Sequence, residues 1–219
     1  MTEARQIVAL GQDSYYELTP FVLHCSPDEF ASLRAFMEDV VKATPNPRNQ
    51  KYALKRKQCT FVEDGACEYE FGQYNQTFRN DVEWPPMISR VLNIVRAQAV
   101  RFGVKPQWYN GVHTNLYRDG SVGVMPHSDK EKSMVDGAPI FSFTLLSDPA
   151  RPRPFSIYTL GDKKMHDVRL EHGSMLVMYG QMQKHFKHGV EAAKPPKMYR
   201  DLARINLTVR AFRPEPTGA

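Results

Sequence analysis

The sequence is poor in cysteine and has no long apolar run. Its 219 residues include three cysteines, Cys25, Cys59 and Cys67, and no C-x-x-C pair. Such an odd, sparse set argues against a disulfide framework and fits a reducing compartment. No apolar segment approaches the length that crosses a bilayer, and the first ten residues lack the apolar core of a secretory signal. We therefore expect a soluble, intracellular protein of the cytoplasm or nucleus, with no membrane partner.

Size and charge set broad limits on the protein. The chain is 42% hydrophobic, which suffices for one sizeable domain with a buried core, and it shows no internal repeats. The formal net charge is +5 and the pI about 9.1. This balance favours a polyanion or an anionic substrate, although many ordinary enzymes are mildly basic. We expect a monomer with one structural domain.

Helices are predicted only in the first half of the chain. Ser26-Pro27-Asp28-Glu29 has a capping serine, an early proline and acids in the first turn, so it predicts a helix that runs to about Ala43. Trp84-Pro85-Pro86 predicts the start of a second helix, and Gly103 is suited to end it. Residues 1–25 predict a short strand or an irregular entry.

The second half of the chain has the pattern of a β-rich domain. From residue 106 onward, seven or eight short strands alternate with turns such as Asn110-Gly111 and Asp119-Gly120. Two further strands are predicted earlier, at 58–62 and 68–71. Regularly spaced short strands predict a sandwich or barrel. The fold class is therefore α+β, a jelly roll with N-terminal helices packed on one sheet.

His127 and Asp129 form an H-x-D pair at the end of a predicted strand. Side chains two residues apart in a strand point to the same face, so an imidazole and a carboxylate can converge on a metal. A distant second histidine would complete the two-histidine, one-carboxylate set that suits non-haem Fe(II). Alone, the tripeptide is equally typical of an exposed polar pair in a loop.

The last predicted strand, residues 204–210, alternates between apolar and polar side chains. Ile205, Leu207 and Val209 share one face; Arg204, Asn206, Thr208 and Arg210 share the other. A surface strand would show the same alternation. Two arginines on an inner strand, however, are costly unless they meet anions. The strand spans roughly 20 Å, so arginines reaching inward from its ends would leave a gap that suits a short dicarboxylate, held by bidentate hydrogen bonds.

Four motifs in one order resemble the AlkB family of Fe(II)/2-oxoglutarate dioxygenases. They are N-x-Y at 115–117, H-x-D at 127–129, H-x-V at 188–190 and R-x-N-x-T-x-R at 204–210. The resemblance covers roughly residues 56–213. It implies a double-stranded β-helix with Fe(II) held by His127, Asp129 and His188, while His185 is the rival for the third position. The other histidines, 24, 113, 166 and 172, are expected at surfaces or turns.

The resemblance also implies the co-substrates and their contacts. Arg204 would bind the distal carboxylate of 2-oxoglutarate with help from Tyr117 and Asn206, and Arg210 and Asn115 would lie near its carboxylate and keto end. With O2, such an enzyme oxidises an N-alkyl group and releases formaldehyde, succinate and CO2. Residues 106–219 would form the catalytic core, and residues 1–105 the helical region with a nucleotide-recognition lid.

The substrate side resembles the branch of the family that repairs alkylated nucleic acids. Lys55, Arg56 and Lys57 would contact phosphates, although such a basic run is most simply a solvated loop. Tyr69 and Phe71 would stack on a flipped base, or else pack in the core. Glu131, four residues after His127, would contact the base edge.

Residues 47–51, Pro-Arg-Asn-Gln-Lys, carry no apolar wedge where duplex-acting relatives insert one. The resemblance therefore favours alkylated single-stranded DNA or RNA over intact duplex, with N1-methyladenine and N3-methylcytosine as representative lesions. Two alternatives remain from the sequence. One is a 2-oxoglutarate oxygenase acting on protein, lipid or another small substrate. The other is a nucleic-acid-binding jelly roll with an incidental H-x-D, which would leave Arg204 and Arg210 unexplained.

Overall fold

The computed structural model describes residues 5–43, 45–46, 49–63, 76–79, 83–131, 133–193 and 202–212, with the backbone alone at 45–46 and 49–53. Short 3-10 helices at Val100–Phe102 and Pro106–Trp108 follow the second α-helix. The other elements, in chain order, are β1 (Gln6–Gly11), β2 (Ser14–Thr19), α1 (Pro27–Asp39), β3 (Pro45–Asn46), β4 (Asn49–Ala53), β5 (Lys57–Val62), β6 (Gln76–Phe78), α2 (Pro86–Ala99), β7 (Gly111–Tyr117), β8 (Val124–His127), β9 (Ile140–Leu146), β10 (Pro154–Thr159), β11 (Lys164–Arg169), β12 (Ser174–Gly180), α3 (Met182–His185), β13 (Phe186–Val190) and β14 (Arg204–Val209).

Helix α1 begins where the sequence predicts and ends earlier. The Ser26 hydroxyl accepts a hydrogen bond from the Glu29 N–H at 3.2 Å, and the Glu29 carboxylate accepts one from the Ser26 N–H at 2.8 Å, which completes a capping box. The helix ends at Asp39 rather than near Ala43. The Lys57 ammonium donates to the carbonyls of Glu38 and Val41, so it binds carbonyl groups left free at this end.

Helix α2 matches its predicted limits. It starts at Pro86 and is followed by a 3-10 turn that Gly103 ends in the left-handed region, at φ 68°. Its buried stripe consists of Met87, Ile88, Val91, Leu92, Val95 and Ala99.

Two sheets form the body of the protein. Within the described residues, the larger has the order β1-β2-β12-β9-β14-β7-β5-β6 and the smaller the order β11-β10-β13-β8. Helices α1 and α2 pack on the outer face of the larger sheet, and an apolar cluster with Phe155, Ile157 and Leu176 lies between the two sheets. This confirms the α+β jelly roll with helices on one sheet.

The N-terminal residues contribute more structure than their sequence predicts. Strands β1 and β2 form a hairpin whose turn holds Gln12 and Asp13 at φ 52°, and β2 pairs along its whole length with β12. The expected single short strand or irregular entry is therefore wrong in extent, because the hairpin depends on pairing with a strand about 160 residues later in the chain. The strand predicted at 68–71 lies outside the described residues.

Strand β14 lies in the middle of the larger sheet, between β9 and β7. Its apolar side chains Ile205, Leu207 and Val209 join the core beneath the helices. Its polar side chains line the cavity on the opposite face of the same sheet. In the pairing with β7, Arg204 lies opposite Tyr117 and Asn206 opposite Asn115. The alternation seen in the sequence thus separates core from cavity. Among the described helices, none has the length and apolar character needed to span a bilayer.

A buried ion pair ties the N-terminal hairpin to the end of α2. Glu17 on β2 is almost fully buried and accepts two hydrogen bonds from the Arg101 guanidinium, at 2.8 and 2.6 Å. Arg5 lies farther away, at 3.8 Å.

We expect Arg101→Ala to lower the free energy of unfolding by about 2 kcal/mol or more, because it leaves the buried Glu17 carboxylate without its bidentate partner. Arg34→Ala is the matched control, since Arg34 and Glu38 form a partly exposed i,i+4 pair on a helix surface that contributes about 0.5 kcal/mol or less. Urea unfolding of both variants measures the difference. Equal losses of unfolding free energy in the two variants would show that the Glu17–Arg101 pair stabilises the fold no more than the Arg34–Glu38 pair does.

Candidate metal centre and co-substrate pocket

The pairing of β8 with β13 assembles a cluster of metal-ligating side chains. His127 lies directly opposite His188 across the two strands. Ligand atoms of His127, Asp129 and His188 all lie within 4.8 Å of one another. The Asp129 carboxylate is 3.9 Å from His127 Nε2 and 3.7 Å from His188 Nε2. His185 ends α3 and is not part of the cluster, so among the described residues the geometry favours His188 as the third ligand.

Several contacts orient these side chains. The Met125 carbonyl accepts a hydrogen bond from His127 Nδ1 at 2.9 Å, which leaves Nε2 free to face the cluster. The Asp129 N–H donates to the Gln183 side-chain oxygen at 2.9 Å, and the Ser128 hydroxyl donates to the Phe186 carbonyl at 2.8 Å. The segment that precedes His188 therefore also holds the H-x-D segment.

Glycine is required where the two ligand-bearing strands meet. A Cβ at Gly189 would lie 2.7 Å from the Val124 carbonyl oxygen, and one at Gly123 would lie 2.5 Å from the Val190 carbonyl oxygen. Backbone atoms cannot yield as flexible side-chain ends do. The close approach of β8 and β13 therefore depends on the absence of a side chain at both positions.

The electrostatics of the cluster suit a divalent cation. Burial raises the pKa of the Asp129 carboxyl, but the charges of Arg210, His188 and His127 outweigh it and hold the pKa well below its usual range. Burial, together with the nearby His127, lowers the pKa of His188 to about 3. A carboxylate and a neutral imidazole are the forms that bind metal. The buried Asp129 Oδ2 has no hydrogen-bond partner, as expected of an atom placed to bind an ion.

Arg204 presents a buried cation to the same cavity, which has a volume of about 530 Å³. Its side chain is only 2% exposed, and its guanidinium carbon lies 5.1 Å from the Tyr117 ring centre. One terminal nitrogen donates to the Thr144 hydroxyl at 3.1 Å, and the other has no hydrogen-bond partner. Within the described part of the chain no carboxylate pairs with Arg204. A carboxylate of 2-oxoglutarate would supply the missing acceptor.

Asn115 and Asn206 lie in the cavity wall beside Arg204. The Asn206 amide donates to the Ser142 hydroxyl at 2.8 Å and to the Phe143 carbonyl at 2.9 Å. The Asn115 side-chain oxygen accepts from Arg56 Nε at 3.1 Å. Their predicted contacts with 2-oxoglutarate remain predictions.

Arg210 contacts the metal cluster directly. Its guanidinium donates to Asp129 Oδ1 at 2.8 Å and lies 3.8 Å from the Glu131 carboxylate. The sequence placed Arg210 near the keto end of 2-oxoglutarate and Glu131 at the edge of a base. The geometry brings both together in a buried ionic group around Asp129. Arg204 at the start of β14 and Arg210 directly after it therefore serve different neighbours.

The predicted substrate-side residues are dispersed. Lys55 is exposed, Arg56 lines the cavity, and Lys57 binds the end of α1. The predicted contacts of these three residues with phosphate remain predictions. Tyr69 and Phe71 lie outside the described residues, as do Pro47, Arg48 and the side chains of 49–51.

His113 is a cavity residue that the sequence interpretation missed. It was expected at a surface or turn, but it lies on β7 between Thr60 of β5 and Thr208 of β14 and lines the cavity. The available signal was its period-two spacing from Asn115 and Tyr117 on one strand, which places all three on the same face. The placement of His113 is therefore a correction.

His188→Ala should lower Fe(II) affinity by more than about 100-fold, because losing a ligand costs more than losing an outer-shell partner. His185→Ala is the matched control and should leave the affinity unchanged. Anaerobic titration of both variants with Fe(II) decides between them. A larger loss in the His185 variant would reassign the third ligand.

Comparison with known proteins agrees with this site. The family model described as "2OG-Fe(II) oxygenase superfamily" matches residues 29–210. The DNA oxidative demethylase ALKBH2 of Mus musculus is 30% identical over 168 residues, which cover 74% of this chain and 64% of that protein. The alpha-ketoglutarate-dependent dioxygenase alkB homolog 3 of Bos taurus is 33% identical over 121 residues, which cover 51% of this chain and 39% of that protein.

Both relatives are longer than the region of similarity, since this chain spans less than two thirds of either. The structure of OsALKBH1 superposes with a TM-score of 0.52 at 16% identity, covering 94% of this chain and all of that one, so it bears on the fold alone. With the family model spanning most of the chain and the His-Asp-His cluster in place, this chain belongs to the AlkB family of the 2OG-Fe(II) oxygenase superfamily, whose cofactor and co-substrates are Fe(II), 2-oxoglutarate and O2.

Proposed function

We propose that this chain is an Fe(II)/2-oxoglutarate-dependent dioxygenase that demethylates alkylated DNA or RNA, with single strands preferred. Representative substrates are N1-methyladenine and N3-methylcytosine. One observation carries the enzymatic part of the proposal. The buried Arg204 guanidinium, with a nitrogen that lacks a partner, faces the same cavity as the His127–Asp129–His188 cluster.

The residues present would hold each group in a defined place. His127, Asp129 and His188 would bind Fe(II), and Arg204 with Tyr117 would bind the distal carboxylate of 2-oxoglutarate. When bound together with O2, these groups supply an oxidant that hydroxylates a methyl C–H bond, while 2-oxoglutarate becomes succinate and CO2. The resulting N-hydroxymethyl group loses formaldehyde as its C–N bond breaks. The bonding pair returns to the ring nitrogen and the hydroxyl proton is released, which leaves the neutral, unmethylated base.

Two side chains of the protein orient and ionise the residues that would bind the metal. Phe155 stacks on the His188 ring with centres 5.3 Å apart, which fixes the plane of that imidazole. Arg210 keeps the Asp129 carboxyl ionised, as a metal ligand must be. These contacts hold the ligand side chains in place before the cavity fills, and such pre-organisation favours catalysis.

Nucleic acid as the substrate is supported by three observations. The chain carries a net charge of +5, Lys55 is exposed beside the cavity residue Arg56, and one relative is named a DNA oxidative demethylase. The preference for single strands rests on the sequence of residues 47–51, which has no apolar wedge. Stacking of the target base on Tyr69 or Phe71 and a contact with Glu131 belong to the same proposal.

Substitution of Arg204 and substitution of Arg210 should weaken the binding of different groups. Arg204→Ala should weaken 2-oxoglutarate binding by at least about 100-fold, since it removes the buried cation that faces the co-substrate. Arg204→Lys should also weaken it, because an ammonium cannot form a bidentate pair. Arg210→Ala should chiefly weaken Fe(II) binding, through Asp129. Separate titrations with metal and 2-oxoglutarate measure both effects, and a reversed pattern would reassign the two arginines.

Substrate form is tested with one methylated sequence as a single strand, within a bubble and in matched duplex. Removing a base from duplex costs a few kcal/mol, so kcat/KM on the single strand should exceed that on duplex by about tenfold or more. The bubble should recover much of the difference. Mass spectrometry of the oligonucleotides after incubation with Fe(II), 2-oxoglutarate and ascorbate gives the rates.

Two results would count against this proposal. Equal rates on all three forms would mean that another segment supplies the wedge. Turnover of 2-oxoglutarate that no methylated oligonucleotide stimulates would instead favour an oxygenase acting on protein or another small substrate.

A further inference from the structure

His113 lies inside the cavity but is not part of the His127–Asp129–His188 cluster. Its strand β7 pairs with β5 on one side and β14 on the other, and His113 stands in register with Thr60 and Thr208. The side chain keeps partial exposure and lines the same cavity as His127, Asp129 and Arg56. It is therefore a polar ring in the wall that a substrate entering this cavity would meet.

One ring nitrogen of His113 already has a partner. His113 Nδ1 lies 3.1 Å from the Thr60 hydroxyl, which can donate to or accept from an imidazole nitrogen. This contact fixes the ring against β5. The Asn115 side chain also lies within hydrogen-bonding reach of this ring. Nε2 is the ring nitrogen that the Thr60 contact leaves for Asn115 or for a molecule in the cavity.

The surroundings of His113 keep its ring neutral. Burial lowers its pKa to about 3, the positive charges of Arg210 and Arg56 act in the same direction, and Asp129 and Asn115 oppose them less strongly. A neutral imidazole carries one donor and one acceptor. Since the Thr60 hydroxyl can take either role, the ring can present a donor or an acceptor to the cavity.

We propose that His113 is a substrate-binding residue whose Nε2 forms a hydrogen bond with the polar edge of the alkylated base. This inference rests on the proposed function, because it takes the cavity to be the place where that base is oxidised. A nucleobase carries an amino group or a carbonyl next to the alkylated ring nitrogen, and a neutral imidazole can pair with either. An apolar residue at position 113 could offer neither bond.

Three substitutions separate this role from a structural one. The amide of glutamine overlies the Nε2 side of an imidazole, and the amide of asparagine overlies the Nδ1 side. His113→Gln therefore keeps the group that faces the cavity, and His113→Asn keeps the bond to Thr60. His113→Phe keeps the ring and removes both nitrogens.

We expect His113→Phe and His113→Asn to lower kcat/KM on a methylated single strand by about tenfold, the effect of one lost hydrogen bond at the upper end of its usual range, and His113→Gln to stay close to wild type. The kcat/KM values for N3-methylcytosine and for N3-methyluracil should fall to a similar extent in His113→Phe, because the imidazole can pair with the amino group of one base and with the carbonyl of the other. Fe(II) affinity, 2-oxoglutarate affinity and the 2-oxoglutarate turnover without substrate should remain at wild-type values in all three variants.

Other patterns would overturn the inference. If asparagine preserved activity and glutamine did not, the bond to Thr60 would be what matters, and His113 would be structural. Wild-type kinetics in His113→Phe, or a loss of 2-oxoglutarate affinity that explains its defect, would also remove the role in binding the base. If the wild-type chain itself oxidised no methylated oligonucleotide, the proposed function would be wrong, and the inference about His113, which depends on it, would be wrong as well.

Discussion

The buried ion pair between Arg210 and Asp129 is the interaction on which the centre of this molecule depends. Both side chains are withdrawn from water, and a guanidinium nitrogen lies 2.8 Å from the carboxylate. Burying either charge alone would carry a large desolvation free energy. The attraction between the two charges offsets this cost for both. The pair also connects the strand at the middle of the larger sheet to the loop that follows β8. The position of the metal site relative to the core is set by this connection.

Charge balance explains why the neighbouring Arg204 differs from Arg210. Arg210 is surrounded by Asp129 and Glu131, whereas Arg204 has a hydroxyl and an aromatic ring as its neighbours. A buried cation without an anionic partner stabilises the protein only when an anion binds to it. Binding of 2-oxoglutarate should therefore raise the stability of the folded chain as well as fill the site, because ligands that bind only the folded state shift the folding equilibrium.

Much of the fold and site could be predicted because the relevant signals are local. The capping box at Ser26, the alternation along β14 and the H-x-D spacing all depend on residues a few positions apart. The rest depends on which strands become neighbours. The pairing of β2 with β12, the bond from Lys57 to the end of α1 and the place of His113 between two threonines arise from long-range register, which no single segment encodes. Arg210 was assigned to the right cavity, but its partner Asp129 lies 81 positions away in the chain.

The close approach of β8 and β13 has a consequence for how this protein can change over time. Because Gly123 and Gly189 leave no room for a side chain, the separation of His127 and His188 is set by main-chain hydrogen bonding. Apolar residues elsewhere in the core can then be exchanged without moving the two imidazoles relative to each other. The spacing of these two ligands is in this sense insulated from side-chain substitutions on β5 and β7, which take no part in the pairing of β8 with β13.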